Sequence, residues 1–484
     1  MSSAGSSGDT RARIAIDLGA ESCRVSLLRW RRDRPTIELV HRFANGPVHQ
    51  GSTLRWPLAR ILAGIEDGLR LAADRAPQGI ASIAVDGWAV DYVRLDPHGK
   101  PLADPFCYRD ERTVASKARA DAIHSPQRLF ALTGAQPLRI NTLYQLLADA
   151  GSGLDPHAPW LCLPEYILHW LGAPRIAEYT NATHTGLVDP ATGNWSQPLF
   201  TQLGIPLQAA PPITPPGVIL GPLRGPLAHL AAFRNAVLIA PACHDTASAI
   251  AAIPAPLKST AYISCGTWSL VGTVVDHPIA TPEALAARFT NQGAAGGGSL
   301  FHTNVNGLWI LKQCMDHWAA QGRPQLLDDL LHAAATQPAP TRLLNVDADS
   351  LLLEGDMPAR IHQVLSFAGA DSIPDTPANQ PRFTRLILES LAARYAAALK
   401  DLHRITGRPV TRIHVLGGGS RNQLLLDLTA RHTGLPIEAG DPESSTLGNF
   451  AVQLAAQSGP LTPESLRAQA MRLQRSNGSR ADIP

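Results

Sequence analysis

Charge is scarce in this chain and nearly balanced. Asp, Glu, Lys and Arg make up 17% of its 484 residues, and 42 basic against 40 acidic side chains leave a formal net charge of +2. That balance leaves no electrostatic footprint for a polyanion, so no nucleic acid partner is expected. The one dense basic stretch, RWRRDRP at 29–35, follows an apparent strand and is expected as a solvated hairpin end. Long apolar runs are missing as well. None approaches the roughly 18 uninterrupted residues that a spanning helix requires, so no membrane partner is expected. The opening MSSAGSSGDTRAR has no apolar signal core, and residues 1–11 read as a disordered tail. The six cysteines (Cys23, Cys107, Cys162, Cys243, Cys265, Cys314) form no C-x-x-C pair and have no zinc-type histidine spacing. A reduced, cytoplasmic protein is the expectation. The phosphate fingerprint G-x-x-x-x-G-K-[ST] is absent, as is G-x-G-x-x-G in a dinucleotide setting.

What is present comes twice. RIAIDLGAESCRVSLLRW (13–30) reads as a strand, a small-residue turn and a returning strand, and STAYISCGTWSLVGTVVD (259–276) repeats that plan. Each is followed by a helical pattern leading into another strand: LRWPLARILAGIEDGLRLAAD (54–74) before ASIAVDGWAVDYVRL (81–95), and FTRLILESLAARYAAALKDLHRITG (383–407) before VTRIHVLGGGSRN (410–422). A further strand, turn and helix falls at LPIEAGDPESSTLGNFAVQL (435–454). The length suits two domains. We place them at 12–252 and 258–456, joined through the proline-rich AAIPAPLKST (251–260), with a C-terminal extension over 457–484.

Turns of Gly, Ala and Ser leave backbone N–H groups uncovered, and consecutive ones form a concave anion site. VLGGGSRN is the strongest of these. Three glycines cost backbone entropy, and they stand between a strand and a helix. Three aspartates close strands beside such turns: Asp17, Asp86 in VDGW, and Asp245 in APACHDT. Each taken singly reads as an N-cap or a turn former. For Asp245, capping and a role toward a bound hydroxyl are both open on the residues alone. Together the three fit phosphoryl transfer, which uses one carboxylate for Mg²⁺ and another to accept the proton of the attacking hydroxyl.

In order along the chain, AIDLGAESCR, VDGWAVDY, PFCYRDERT, NTLYQL, EYTNATHTGLVD, CHDTASA, SCGTWSL, NGLWILKQ, VLGGGSRN and ESSTLGN resemble the motifs of the FGGY carbohydrate kinases. The resemblance runs from about residue 12 to 456. It implies an α/β chain of two ribonuclease-H/actin-like ATPase domains with a catalytic cleft between them, using ATP and Mg²⁺. It also implies phosphorylation of a ketose at its primary hydroxyl: L-rhamnulose first, with L-fuculose, L-ribulose or D-xylulose as alternatives, by a monomer or homodimer. Carried over residue by residue, Asp245 becomes the proton acceptor. Asp86, Ala89, His244, Thr246 and Asn304 line the sugar together with Asp245. Ala20, Glu21, Ser22, Cys23 and Arg24 form the first phosphate turn and Thr267 the second. Lys312 and Gly418 lie near the nucleotide, and Asp17 holds Mg²⁺, usually through water.

Some positions depart from the family pattern: Glu21, Ser22 and Cys23 where small residues are usual, Gly87 and Ala89 in VDGWAVD, and Lys312 in place of a glutamine. Glu21 beside a phosphate is expected to point outward or to pair with Arg24. Trp268 and Trp309 are expected to pack in cores, while Trp88 reads equally as core or as a flank of the sugar pocket. YRDER (108–112) is expected as an ion-paired loop, with Arg109 in reach of a sugar hydroxyl. Cys23, Cys243 and Cys265 read as buried fillers or as redox-sensitive thiols at the cleft. A non-catalytic nucleotide-gated module, like actin or the Hsp70 ATPase domain, is the competing class; it would ignore sugar.

Overall fold

The computed structural model describes residues 9–31, 34–369 and 372–477. Residues 1–8 of the expected tail, positions 32–33 of the basic hairpin end and residues 478–484 of the extension lie outside them. Among the described residues no helix is long and apolar enough to cross a membrane.

The N-terminal half is built on β1 (Ala12–Leu18), β2 (Ser22–Arg31), β3 (Arg34–Ala44), β4 (Ile80–Gly87), β5 (Ile219–Pro222) and β6 (Val237–Ile239), in the sheet order β5-β6-β4-β1-β2-β3. Both β1 and β4 are buried at every position, as a strand covered on both faces must be. Between β3 and β4 runs α1 (Leu58–Arg75), which turns Leu58, Ile61, Ile65, Leu69 and Ala72 inward at helical spacing. The C-terminal half repeats the plan with β7 (Thr260–Cys265), β8 (Trp268–Val275), β9 (Phe289–Gly293), β10 (Ser299–Asn306), β11 (Arg412–Leu416) and β12 (Ile437–Ala439), ordered β9-β10-β8-β7-β11-β12. In each half an antiparallel three-strand meander (β1-β2-β3, β8 between β7 and β10) gives way to parallel pairing (β1 with β4, β7 with β11). The repeat visible in the sequence is therefore a repeat of topology.

Helices α2 (Asp245–Ala251), α3 (Trp309–Ala320), α4 (Gln380–Thr406), α5 (Gln423–Thr433), α6 (Ser444–Ser458) and α7 (Pro463–Asn477) complete the frame. Residues 88–218 leave the first sheet between β4 and β5. They build short helices and strands around small cores of their own, one holding Tyr144, Trp160 and Phe200.

Each sheet has its own core, and a third joins the halves. It gathers Ala15 of β1, Ile250 of α2, Tyr262 of β7, Leu416 of β11, and Leu447, Phe450 and Ala451 of α6. Helix α6 crosses α2 so closely that a Cβ at Gly448 would lie 1.6 Å from the Ser248 carbonyl oxygen. Only glycine fits there.

Candidate active site

Parallel strands carry their functional residues past their C-terminal ends, and here three neighbours do so. Asp17 and Asp86 are register partners near the ends of β1 and β4. His244 bridges Gly87 just past β6, and the Gly87 N–H donates to the Cys243 carbonyl at 3.0 Å. Asp245 follows as the first residue of α2. The N-cap is His244, whose side chain makes no capping bond, so capping does not account for Asp245. Its Oδ1 accepts from Thr246 Oγ1 at 3.1 Å and stands 3.3 Å from His244 Nε2.

The three carboxyl groups feel one another. Burial, then the charge of Asp17, pushes Asp245 up to about 7. Burial and Asp17 raise Asp86 well above the usual range, and burial raises Asp17. Arg24 Nη1 donates to Asp17 Oδ2 at 3.3 Å, and its Nε meets Glu443 Oε2 at 3.1 Å. Two hydrogen bonds then arrive from α6: Ser445 Oγ to Asp17 Oδ2 at 2.8 Å, and Asn449 Nδ2 to Asp86 Oδ2 at 2.6 Å. Among the described residues Asp86 Oδ1 is buried without a partner.

The turn before Asp245 is held from below by two buried acids of the 88–218 excursion. Glu178 Oε2 accepts from the Cys243 N–H at 2.8 Å and from Thr180 Oγ1 at 2.5 Å, and Glu165 accepts from the Glu178 N–H at 3.1 Å and from Asn181 at 2.9 Å. Burial carries Glu178 up to about 8 and Glu165 up to about 7.

Several sequence expectations need correction or sorting. Glu21 is exposed and does not pair with Arg24, which spends its guanidinium on Asp17 and Glu443. Cys23 turns its side chain into the first core, so only its backbone can serve the Ala20–Arg24 turn. Cys23, Cys243 and Cys265 are all buried, with thiols pushed up by burial, which favours the filler reading. Trp268 was expected in a core and is instead 46% exposed beside Thr267, at the tip where β7 turns into β8. Trp309 does pack on the second core. Trp88 is buried on Trp56, ring centroids 4.3 Å apart, and both indoles donate to the buried Asp91, so it supports the wall behind Ala89. In YRDER, Asp110 and Arg112 are tied into structure (Asp110 Oδ2 to the Leu54 N–H at 2.6 Å, Arg112 to Asp149 at 2.8 Å), and Arg109 stays exposed.

Asp17, Asp86, His244, Asp245, Thr246 and Arg24 are thus joined in one connected cluster. Thr267, Gly418, Lys312 and Asn304 belong to the C-terminal half and make no hydrogen bond to the aspartates among the described residues. Lys312 pairs with Asp316 at 2.7 Å and feels the charge of Glu21 across the cleft. Asn304 shares the face of β10 with His302, a buried ring near enough to His244 to oppose its protonation. Sequence reasoning assigned no role to Ser445, Asn449, Glu443, Glu165, Glu178, His184 or Gln292. For α6 the available signal was the four-residue polar spacing 445, 449, 453, 457.

The chain's own groups fit a nucleotide and a divalent cation. At the GGG turn, Gly417 takes φ +74, a Cβ on Gly418 would meet nothing within 4 Å, and the Ser420 hydroxyl is buried with no partner among the described residues. That is an open cradle with one spare hydroxyl beside it. The carboxylates of Asp17 and Asp86 are the hard oxygen donors that Mg²⁺ prefers. Among the described residues no three His, Cys, Asp or Glu side chains converge closely enough to hold an ion by themselves.

Two sheets of one topology, joined at a cleft with acids at the strand ends, define an actin-like, ribonuclease-H-like ATPase fold of the kind sugar kinases use. A gluconate kinase from Lactobacillus acidophilus superposes with a TM-score of 0.77 at 16% identity, covering 96% of both chains. A xylulose kinase from the same organism gives 0.76 at 17% identity. The model of the N-terminal domain of the FGGY family of carbohydrate kinases matches residues 12–252, and that of the C-terminal domain matches 261–457. The chain belongs to the FGGY family of carbohydrate kinases. It is 33% identical to a rhamnulokinase of Bacteroides thetaiotaomicron over 91% of this chain and 90% of that one, and 35% identical to a rhamnulokinase of Pectobacterium carotovorum over 92% and 88%.

Proposed function

We propose that this chain transfers the γ-phosphoryl group of ATP to the primary hydroxyl of L-rhamnulose, giving L-rhamnulose 1-phosphate. What carries the choice of sugar is the likeness to rhamnulokinases along nine-tenths of both chains. The chemistry rests on Asp245, a carboxyl at the cleft floor that ionises near neutral pH. Asp245 accepts the proton of the sugar hydroxyl as its oxygen bonds to the γ-phosphorus and the bond to the β-phosphate oxygen breaks. A loose transition state asks for position more than for a strong base. Thr246 Oγ1 donates to Oδ1 of Asp245, and His244 Nε2 stands 3.3 Å from the same oxygen. Ala89, His244 and Asn304 line the sugar. The backbone of Ala20–Arg24 and the turn at Thr267 take the phosphates, with Arg24 adding a cation, and the cradle at Gly418 takes the nucleoside. Mg²⁺, held at Asp17, supplies charge neutralisation on the phosphate oxygens when bound.

The test is a coupled ADP assay with L-rhamnulose, L-fuculose, L-ribulose and D-xylulose. The highest kcat/KM is expected on L-rhamnulose. A higher value on another ketose overturns the sugar assignment, and ADP release indifferent to every sugar overturns the kinase assignment.

A further inference from the structure

Behind Asp245 lies a file of polar side chains of which the reaction as described uses His244 alone. His244 Nε2 stands 3.3 Å from Asp245 Oδ1. The other ring nitrogen of His244, Nδ1, is 3.1 Å from His184 Nε2, with the two ring centroids 3.9 Å apart. His184 Nδ1 is 3.2 Å from the amide nitrogen of Gln292, which comes from β9 in the opposite half of the molecule. Burial drives His184 well below the ordinary imidazole range and His244 down to about 3, so both rings are neutral.

A neutral imidazole has one donor and one acceptor nitrogen. An ionised carboxylate only accepts, and an amide nitrogen only donates. From these two ends we infer that Gln292 fixes the tautomer of His184, and through it that of His244, so that an Nε2–H is always presented to Asp245. Gln292 Nε2–H donates to His184 Nδ1. His184 must then carry its proton on Nε2 and donates to His244 Nδ1, and His244 must carry its own on Nε2. The opposite polarity would aim a bare nitrogen lone pair at the carboxylate. His184 and Gln292 are positioning residues: they never touch substrate, and they favour the ionised, proton-accepting form of Asp245 against the burial and the neighbouring Asp17 that oppose it. His302 faces the same rings but gives its Nδ1 to the Tyr262 hydroxyl at 2.8 Å, outside the file.

The inference rests on Asp245 being the base, and its test separates the two. In ¹⁵N-histidine-labelled full-length protein at neutral pH, two-bond ¹H–¹⁵N correlations are expected to show the Nε2–H tautomer at both His184 and His244. A proton on Nδ1 of either ring overturns the proposal. Gln292→Met should mix the tautomers of His184; an unchanged pattern also overturns it. In kinetics, His184→Leu is expected to lower kcat by about 10- to 100-fold, the usual size for losing a partner that orients a functional imidazole. It should also move the acid limb of the pH profile to higher pH, with KM for the sugar within about 3-fold. His184→Gln keeps an N–H near the lost Nε2 and should recover kcat to within about 3-fold. Equal kcat values for the Leu and Gln variants overturn the proposal. Should Asp245→Asn turn over normally, the base assignment falls while the tautomers remain readable.

Discussion

Among the three strand-end aspartates, Asp245 keeps 37% of its side chain open to solvent, whereas Asp17 keeps 5% and Asp86 none. The open one is the group that can meet an incoming hydroxyl, and the closed ones are anchored by α6. Replacing Asp245 with Asn preserves the shape and removes the proton acceptor. We expect kcat to fall by about 10²- to 10⁴-fold with ATP affinity retained, measured by steady-state kinetics and nucleotide titration; near-normal turnover would refute the role. The same carboxyl sets a pH dependence. A base works only when ionised, and its folded pKa is raised to about 7. Activity should therefore rise through pH 7 and fall roughly tenfold per pH unit below it. A profile flat from pH 5 to 8 would remove Asp245 from the step. Asp17, Asp86 and Asp245 were legible as residues, because aspartates at strand ends beside glycine turns are unusual in number. Their hydrogen-bond partners were not. His184 and Gln292 lie 108 positions apart, and a solitary His or Gln in a sequence carries no sign of what it will face.

Helix α6 shows the limit of pattern reading at the next scale. The strand, turn and helix over 435–454 were readable, and so was its polar spacing. Ser445, Asn449, Gln453 and Gln457 are four residues apart and bond in turn to Asp17, Asp86, the Ser82 hydroxyl with the Ile14 carbonyl, and Arg13. Periodicity tells which face is polar, but not that this face docks on strands some 360 to 440 residues earlier. Gly448 sits on the apolar side of the same crossing. A methyl there would meet backbone, which cannot swing aside as a flexible side chain can. Gly448→Ala is expected to destabilise the protein by about 1–3 kcal/mol, seen as a lower apparent Tm in thermal denaturation; an unchanged Tm would mean that the helices slide apart without cost.

Over the whole molecule, the buried acids beneath the Cys243–Asp245 turn make stability depend on pH. Glu165 and Glu178 titrate at about 7 and 8 in the folded chain, against about 4.3 for an unfolded Glu. Between those values the native state holds protons that the unfolded state releases, so stability falls as pH rises from about 5 to 8 and levels off above. Thermal melts from pH 5 to 9 should show that decline, and it should shrink in Glu178→Gln. A Tm that climbs with pH across this window would contradict the burial. The two-half architecture was legible because each half repeats the same strand, turn and helix order. The excursion at 88–218 was not, since two- and three-residue strands are too short to carry a period.

The ladder on α6 has a consequence for biosynthesis. The first sheet leaves the ribosome early, with Asp17 and Asp86 lodged in its interior; Arg24 is at hand for Asp17, yet Ser445 and Asn449 are translated more than 350 codons later. Until residue 449 has emerged, the nascent N-terminal half must carry Asp86 protonated or stay loosely packed around it. The machinery that handles phosphate is therefore finished last, at the moment the two halves first meet.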